Sequence, residues 1–117
     1  MEIERRLSIQ EMKIGDIVAY KIGSSSNPHP ALIVNIGEEC INVIVISSTY
    51  HKEICIREIK NTDTRFLSKP SWLTRTFAVI KVPKENNGIL FTGVWENKRS
   101  LYTIVKKYQN YREMLKF

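Results

Sequence analysis

Cysteine is scarce in this sequence, and its two cysteines are not arranged to bind a metal. Cys40 and Cys55 form no Cys-x-x-Cys pair, and no cluster of His and Cys has the spacing of metal ligands. If residues 41–48 pair with residues 53–60, Cys55 lies opposite about residue 46. Cys40 then lies about 20 Å away, beyond the reach of a disulfide. We therefore expect two free thiols and no metal or other cofactor.

Long hydrophobic runs are absent as well. No stretch approaches the roughly 20 apolar residues of a membrane-spanning helix. The charged start, Met1 to Arg6, is not followed by the apolar core of a signal peptide. We expect a soluble, cytoplasmic protein without membrane partners, folded as one domain over residues 1–117.

Acidic residues are sparse in the second half of the chain. The formal charge is +6, yet residues 1–56 carry five Lys or Arg against seven Asp or Glu. Residues 57–84 carry seven Lys or Arg against two Asp or Glu, and residues 98–117 carry six Lys or Arg against one Glu. A basic half with interleaved aromatic side chains can attract a phosphate backbone and stack bases. A merely solvated basic surface explains the same counts, so charge alone leaves both interpretations open.

The most informative stretch is Pro28 to Thr49. Two runs rich in Val and Ile, Ala31 to Ile36 and Ile41 to Ile46, flank a short turn containing Gly37, which is typical of a β-hairpin. Because neither run alternates cleanly between apolar and polar residues, we expect both faces of the hairpin to be covered. The pattern places this hairpin in the core.

The rest of the chain predicts a small SH3-like antiparallel barrel with a C-terminal α-helix, a mainly β fold. After Lys98 the apolar residues recur every three or four positions, which predicts a helix over 98–116 with Asn97 as its N-cap. Further strands are expected at Asp16 to Ile22 and Glu53 to Ile59, with a second hairpin from Thr74 to Trp95. We also expect four apolar side chains to be buried: Val34, Ile44, Ile46 and Val79.

Several short motifs, in order, resemble the MazF/PemK family of toxin endoribonucleases, which includes the Kid-type plasmid toxins. The resemblance covers about residues 13 to 111, and its motifs are Gly15-Asp16-Ile17-Val18, Pro30 to Val34, Ile46-Ser47-Ser48, Leu67 to Trp72, and Gly93 before the helix.

The resemblance implies a metal-independent enzyme that cleaves single-stranded RNA through the ribose 2′-hydroxyl. It also implies a homodimer and a small protein antitoxin that fills the RNA groove. One position departs from the family, which usually has an arginine directly before the proline of the Pro-Ala strand. This chain has His29 there. A histidine loses the bidentate phosphate contact of arginine, but it can donate or accept a proton near neutral pH.

Seven residues are candidates for the site. The family's threonine corresponds to Ser47, so His29 and Ser47 are the predicted catalytic pair. The predicted RNA-binding residues are Ser48, His51, Arg65, Arg75 and Lys69. One of the two arginines could replace the missing one from across the groove. Each residue also has an ordinary structural interpretation: a loop histidine bonded to backbone, a strand-end serine bonded to its neighbours, or a solvated charge.

Two functions therefore stay open at this point. The first is a toxin-type endoribonuclease, in which the protein orients the phosphate, stabilises charge and moves a proton. The second is a non-catalytic barrel of the same fold that binds a protein partner as an inhibitor or regulator. The histidine at position 29 is what keeps the second hypothesis open.

Overall fold

The computed structural model describes residues 5–6, 9–20, 28–67, 69–82 and 89–114. These residues contain seven strands, a short 3-10 turn and one α-helix. In chain order they are β1 Arg5–Arg6, the 3-10 turn Ile9–Glu11, β2 Asp16–Tyr20, β3 His29–Ile36, β4 Cys40–Ser47, β5 Cys55–Ile59, β6 Ser71–Lys81, β7 Ile89–Val94 and α1 Lys98–Met114. The ends of the predicted first strand and of the predicted helix, residues 21–22 and 115–116, lie outside the described residues.

All seven strands belong to one sheet in the order β1-β7-β2-β3-β4-β6-β5, and the paired strands are antiparallel. The radius of gyration is 13.8 Å, which is typical of a compact domain of this length. The predicted fold class, mainly β with a C-terminal helix, is confirmed, and the molecule is consistent with a small barrel.

The loop after β5 connects the two sides of the curved sheet. Its Asp63 carbonyl accepts hydrogen bonds from the backbone N–H groups of Glu96 and Asn97 at 2.7 and 3.0 Å, directly after β7. The Thr64 hydroxyl donates to the Val94 carbonyl at 2.8 Å. Since β5 is the last strand of the sheet and β7 lies near the other edge, these bonds join the two sides without a ladder between strands.

The predicted pairing of the later strands is wrong. Thr74 to Trp95 is not a hairpin, because β6 pairs with β4 and β5, whereas β7 pairs with β2 and β1. Residues 41–48 do not pair with 53–60 either, and Cys55 lies opposite Thr74. Every strand has two hydrogen-bonding edges, and β6, with eleven residues, pairs with β4 along one edge and with the shorter β5 along the other. Both cysteines are free, as predicted.

Both faces of the β3–β4 hairpin are covered, as predicted. Ala31, Ile33, Ile41 and Val43 belong to one buried cluster. On the other face a second cluster contains Leu32, Val34, Ile44, Ile46 and the helix residues Leu101 and Tyr108. Val34, Ile44 and Ile46 are buried as predicted, at 1%, 3% and 2% exposure, but Val79 is 68% exposed. Its neighbours Ala78 and Ile80 pack against the first cluster, and a residue between them points to the opposite face of the strand.

The helix begins at the predicted cap. The Asn97 side-chain oxygen accepts a hydrogen bond from the Ser100 N–H at 3.2 Å, the usual N-cap geometry. Further along α1, Tyr108 and Tyr111 contact the ring of Phe77 on β6, with centroid distances of 5.4 and 4.8 Å. The apolar stripe therefore packs the helix along one face of the sheet.

The Gly15-Asp16 pair has a structural role. Gly15 has a φ of 99°, and a Cβ atom there would lie 2.7 Å from the Cδ2 atom of Leu101, so only glycine fits without strain. The Asp16 carboxylate accepts the Lys13 N–H at 2.8 Å. Burial raises the pKa of Asp16, although that hydrogen bond and the charges of Lys13 and Lys98 oppose the shift.

Candidate functional site

A groove of about 690 Å³ lies where the start of β3 meets the end of β4. Four parts of the chain form its walls: the start of β3, the end of β4 with the following turn, the loop before β6, and β6 itself. Five of the seven predicted site residues line it: His29, Ser47, Ser48, His51 and Lys69. The fold thus brings together residues that are separated by up to forty positions in the sequence.

His29 is the first residue of β3 and pairs with Tyr20 of β2. Pro28 and Pro30 flank it, and prolines on both sides restrict the backbone to an extended conformation. The side chain is half-buried. Among the described residues its imidazole has no hydrogen-bond partner, so both ring nitrogens can contact a molecule in the groove.

Ser47 ends β4 and bonds to the backbone of the turn that follows. Its hydroxyl donates to the Thr49 carbonyl at 2.7 Å and accepts the Thr49 N–H at 3.1 Å. Such a serine turn fixes the local backbone. This contact matches the structural interpretation of Ser47, because the hydroxyl proton is already donated. One oxygen lone pair remains for a ligand.

His51 lies on the same turn, which the half-buried Cys55 helps to hold. The Cys55 thiol accepts the His51 N–H at 3.2 Å and donates to the Thr49 carbonyl at 3.7 Å. The His51 carbonyl in turn accepts the N–H groups of Ile54 and Cys55 at 3.1 and 2.8 Å. The backbone of His51 is therefore fixed on both sides, while its side chain is exposed.

A β-bulge shapes the wall between these residues and β6. The register of β4 against β6 shifts between Ile44 and Ile46. The carbonyl of the intervening Val45 accepts the hydroxyl of buried Thr74 at 2.8 Å. Bulges commonly re-aim side chains beside functional sites. Val45, Thr74 and Thr76 all line the groove. The two threonines were not predicted, although two hydroxyls spaced two apart in a strand share one face.

Lys69 provides a positive charge on the opposite wall. It lies in the loop before β6, and the Ser71 hydroxyl donates to its carbonyl at 2.9 Å, which anchors the backbone beneath it. The lysine side chain is exposed and borders the groove beside Leu67. An ammonium group in this position can contact a phosphate as a point charge.

Neither of the predicted arginines lines the groove. Arg65 pairs with Glu96 at 3.5 Å, and its side chain is 77% exposed. Arg75 is exposed on β6 between Thr74 and Thr76, the two residues that do face the groove. Since neighbouring residues of a strand point to opposite faces, Arg75 faces away. Among the described residues, no arginine lines the groove where the resemblance implies one.

A smaller cavity of about 300 Å³ adjoins the groove, and we call it the side cavity. The two share Leu67, Lys69 and Ser71. Glu58, Lys60 and Asn61 form its polar wall, and none of the three was predicted as a site residue. No motif marks them, because only the fold places β5 beside the loop before β6.

A second polar centre lies behind the side cavity, and we call it the Asp63 cluster: Asp63, Arg57, Ser100, Asn97 and Trp95. Asp63 is 1% exposed. One carboxylate oxygen accepts Arg57 Nη2 at 2.9 Å, Ser100 Oγ at 3.0 Å and Asn97 Nδ2 at 3.4 Å. The other oxygen accepts the backbone N–H of Lys60 at 2.9 Å. The fully buried Trp95 donates from Nε1 to Ser100 at 2.8 Å.

The charge on Asp63 is stabilised by these contacts. Burial acts to raise the pKa of Asp63, but hydrogen bonds from Arg57, Lys60 and Ser100 outweigh it and lower the pKa. The guanidinium carbon of Arg57 also lies 5.8 Å from the centroid of Trp95, within cation–π range. Both carboxylate oxygens of Asp63 have partners within the cluster, although Nη1 of Arg57 is buried without a hydrogen-bond partner among the described residues. The Asp63 cluster is therefore a structural centre that joins the loop after β5 to the start of α1.

No group of three or more His, Cys, Asp or Glu residues within the described part of the chain could hold a metal ion. Within the same ranges, no helix has the length and apolar character needed to cross a membrane. Comparison with protein-family models, with curated proteins and with solved structures gives no match. Function is therefore inferred from the residues of the groove.

Proposed function

We propose that this protein is a toxin-type, metal-independent endoribonuclease that cleaves single-stranded RNA in the groove. The observation that carries the proposal is the presence of His29, His51 and Lys69 around one groove, together with the hydroxyls of Ser47 and Ser48. The likeness of the short motifs to MazF/PemK toxins points to the same chemistry.

The groove contains the groups that this reaction requires. The ribose 2′-oxygen attacks the adjacent phosphorus, the bond from phosphorus to the 5′-oxygen breaks, and a 2′,3′-cyclic phosphate and a 5′-hydroxyl are formed. One histidine takes the proton from the 2′-hydroxyl, and the other gives a proton to the leaving 5′-oxygen. Histidine suits both tasks because its charge changes readily near neutral pH. Lys69 balances the negative charge that builds up on the phosphate.

Charge distribution supports RNA as the substrate. Lys69 belongs to the segment 57–84, which contains seven basic residues and two acidic ones. Such a field raises the association rate of a polyanion, and the effect weakens as salt increases. The proposal also includes a protein antitoxin that blocks the groove and a homodimer, both of which the resemblance implies, and a cytoplasmic location, which was expected from the sequence.

A second candidate function, a non-catalytic barrel that binds a protein partner as an inhibitor or regulator, is favoured by one contact. The Ser47 hydroxyl donates its proton to the Thr49 carbonyl, so it has no proton to give to a substrate in this conformation. The lack of an arginine among the described residues that line the groove points the same way. This function predicts stable copurification with a single protein and no cleavage of RNA.

The deciding experiment incubates purified protein with a mixed single-stranded RNA, with and without EDTA. We expect cleavage that EDTA does not inhibit, with cyclic phosphate on the new 3′ ends. His29→Gln and His51→Gln should each abolish most of it. Lys81→Gln is a matched control, since Lys81 is exposed on β6 but does not line the groove. Intact RNA in every arm, including an excess of wild-type protein, would rule out the nuclease and favour the binding module.

A further inference from the structure

The side cavity has the size and polarity to take a base. It measures about 300 Å³, and its lining includes the buried or half-buried apolar side chains of Ile59 and Leu67. The exposed ring of Pro70 borders it. Apolar side chains combined with a rim of exposed polar groups are typical of sites that bind a flat ring and read its edge.

The polar rim offers free donors and acceptors. The side chains of Glu58, Lys60 and Asn61 are exposed and have no side-chain hydrogen bond to any described residue. The hydroxyls of Thr64 and Ser71, in contrast, are committed to the carbonyls of Val94 and Lys69. Recognition in the side cavity therefore depends on the Glu58 carboxylate, the Asn61 amide and the ammonium groups of Lys60 and Lys69.

We infer that the side cavity is a base-recognition subsite that selects guanine next to the cleaved bond; this inference rests on the proposed function. The Glu58 carboxylate has two acceptor oxygens and no donor. Guanine is the RNA base whose Watson–Crick edge places two donors, N1–H and the N2 amino group, side by side. Its O6 acceptor then faces Asn61 or Lys60. Uracil presents acceptors on both sides of its N3–H, which a carboxylate repels.

The position of Lys69 connects this subsite to the proposed site of RNA cleavage in the groove. Lys69, Leu67 and Ser71 line both the groove and the side cavity. A phosphate held by Lys69 thus places its ribose towards the groove histidines, while a neighbouring base enters the side cavity. Because the bases of single-stranded RNA are unstacked and free to rotate outward, such a base is accessible for reading.

Binding of mononucleotides tests the subsite without requiring cleavage. We expect guanosine 5′-monophosphate to bind wild-type protein about 10-fold more tightly than the uridine, cytidine or adenosine monophosphates, measured by calorimetry. Glu58→Gln removes one charged acceptor, which is worth roughly a 10-fold loss in guanosine monophosphate affinity. Asn61→Ala should weaken it less. Glu53→Gln is the matched control, because Glu53 is also exposed but lies outside both cavities.

Cleavage mapping then separates this inference from the proposed function. Cuts beside guanine in wild type, and loss of that preference in Glu58→Gln at an unchanged melting temperature, support the subsite. Cleavage without a guanine preference overturns the subsite and leaves the nuclease intact. Selective guanosine monophosphate binding without cleavage supports the subsite and overturns the nuclease. Equal affinity for all four nucleotides, unchanged by Glu58→Gln, overturns the subsite whatever the cleavage result.

Discussion

The Asp63 cluster and the groove both contain residues of the loop between β5 and β6. They differ in whether their polar side chains have hydrogen-bond partners within the protein. The segment between β5 and β6 delivers Asp63 to the cluster and Lys69 to the groove. Asp63 is 1% exposed and both of its oxygens accept hydrogen bonds. His29 and Lys69 have no side-chain partner among the described residues. Polar groups with fixed partners hold this fold together, whereas those without partners are available to a ligand.

The largest effect should come from removing the buried carboxylate. Asp63→Ala leaves Arg57 without its partner and removes four hydrogen bonds. Asp63 is 1% exposed but Arg57 is 36% exposed, so the loss of unfolding free energy should lie at or below the roughly 3 to 5 kcal/mol that breaking a fully buried ion pair costs. Denaturant melts measure it. If Asp63→Ala does not fold, Asp63→Asn keeps the shape and part of the bonding, and it should still be destabilised.

The exposed pair Arg65–Glu96 is the matched control for that comparison. Its side chains are 77% and 36% exposed, and their charged atoms lie 3.5 Å apart. Exposed pairs contribute about 0 to 1 kcal/mol, so Arg65→Ala should change stability little. Equal losses for Asp63→Ala and Arg65→Ala would remove the distinction between the two kinds of ion pair.

Substitution in the groove should have the reverse effect, with a large loss of activity and none of stability. His29→Gln keeps size and hydrogen bonding but cannot carry a proton. It should lower the cleavage rate by roughly 100-fold, with a melting temperature that stays at the wild-type value. Single-turnover cleavage of a defined RNA measures the rate. A His29→Gln enzyme that cuts at the wild-type rate would remove His29 from the chemistry.

The response of stability to acid should be smaller and should come from the Asp63 cluster. Folding lowers the pKa of Asp63, so its contribution is fully present above the ordinary Asp value of about 3.9. That contribution is lost as the pH falls through the still lower pKa of the folded state. Urea melts of wild type and Asp63→Asn between pH 6 and pH 2 should therefore converge towards the acid end. Parallel curves over this range would contradict the argument.

A small loss of stability and a moderate loss of cleavage rate are expected when the Ser47 hydroxyl is removed. Its hydroxyl bonds only to the Thr49 backbone, so Ser47→Ala should cost about 1 kcal/mol of unfolding free energy. Cleavage should fall less than in His29→Gln, because the turn that carries His51 loosens. Thr92→Ala is the control, since Thr92 is an exposed hydroxyl residue on β7 that lines neither the groove nor the side cavity. A loss of rate at Ser47 as large as that at His29 would instead make its hydroxyl part of the chemistry.

Several features could be predicted from local patterns. The nearly continuous Val and Ile content of Ala31–Ile36 and Ile41–Ile46, without clean alternation, predicted a hairpin covered on both faces, and the structure has it. Near Asn97 the spacing of apolar residues changes from about every second residue to about every 3.6 residues, and this change predicted α1 and its cap. Both features depend on neighbours within a few residues, which is the range over which a sequence pattern acts.

The sequence by itself determined which segments are strands or helix and which of their faces are apolar, because side-chain hydrophobicity and backbone preferences are local properties. Only the tertiary structure decided that β6 lies between β4 and β5, that β7 lies beside β2, and that Val79 faces solvent. Backbone hydrogen bonds are the same for every strand, so a pattern does not name the partner. The groove, the side cavity and the Asp63 cluster depend on that choice of partners, because each joins residues from strands and loops that are distant in the chain.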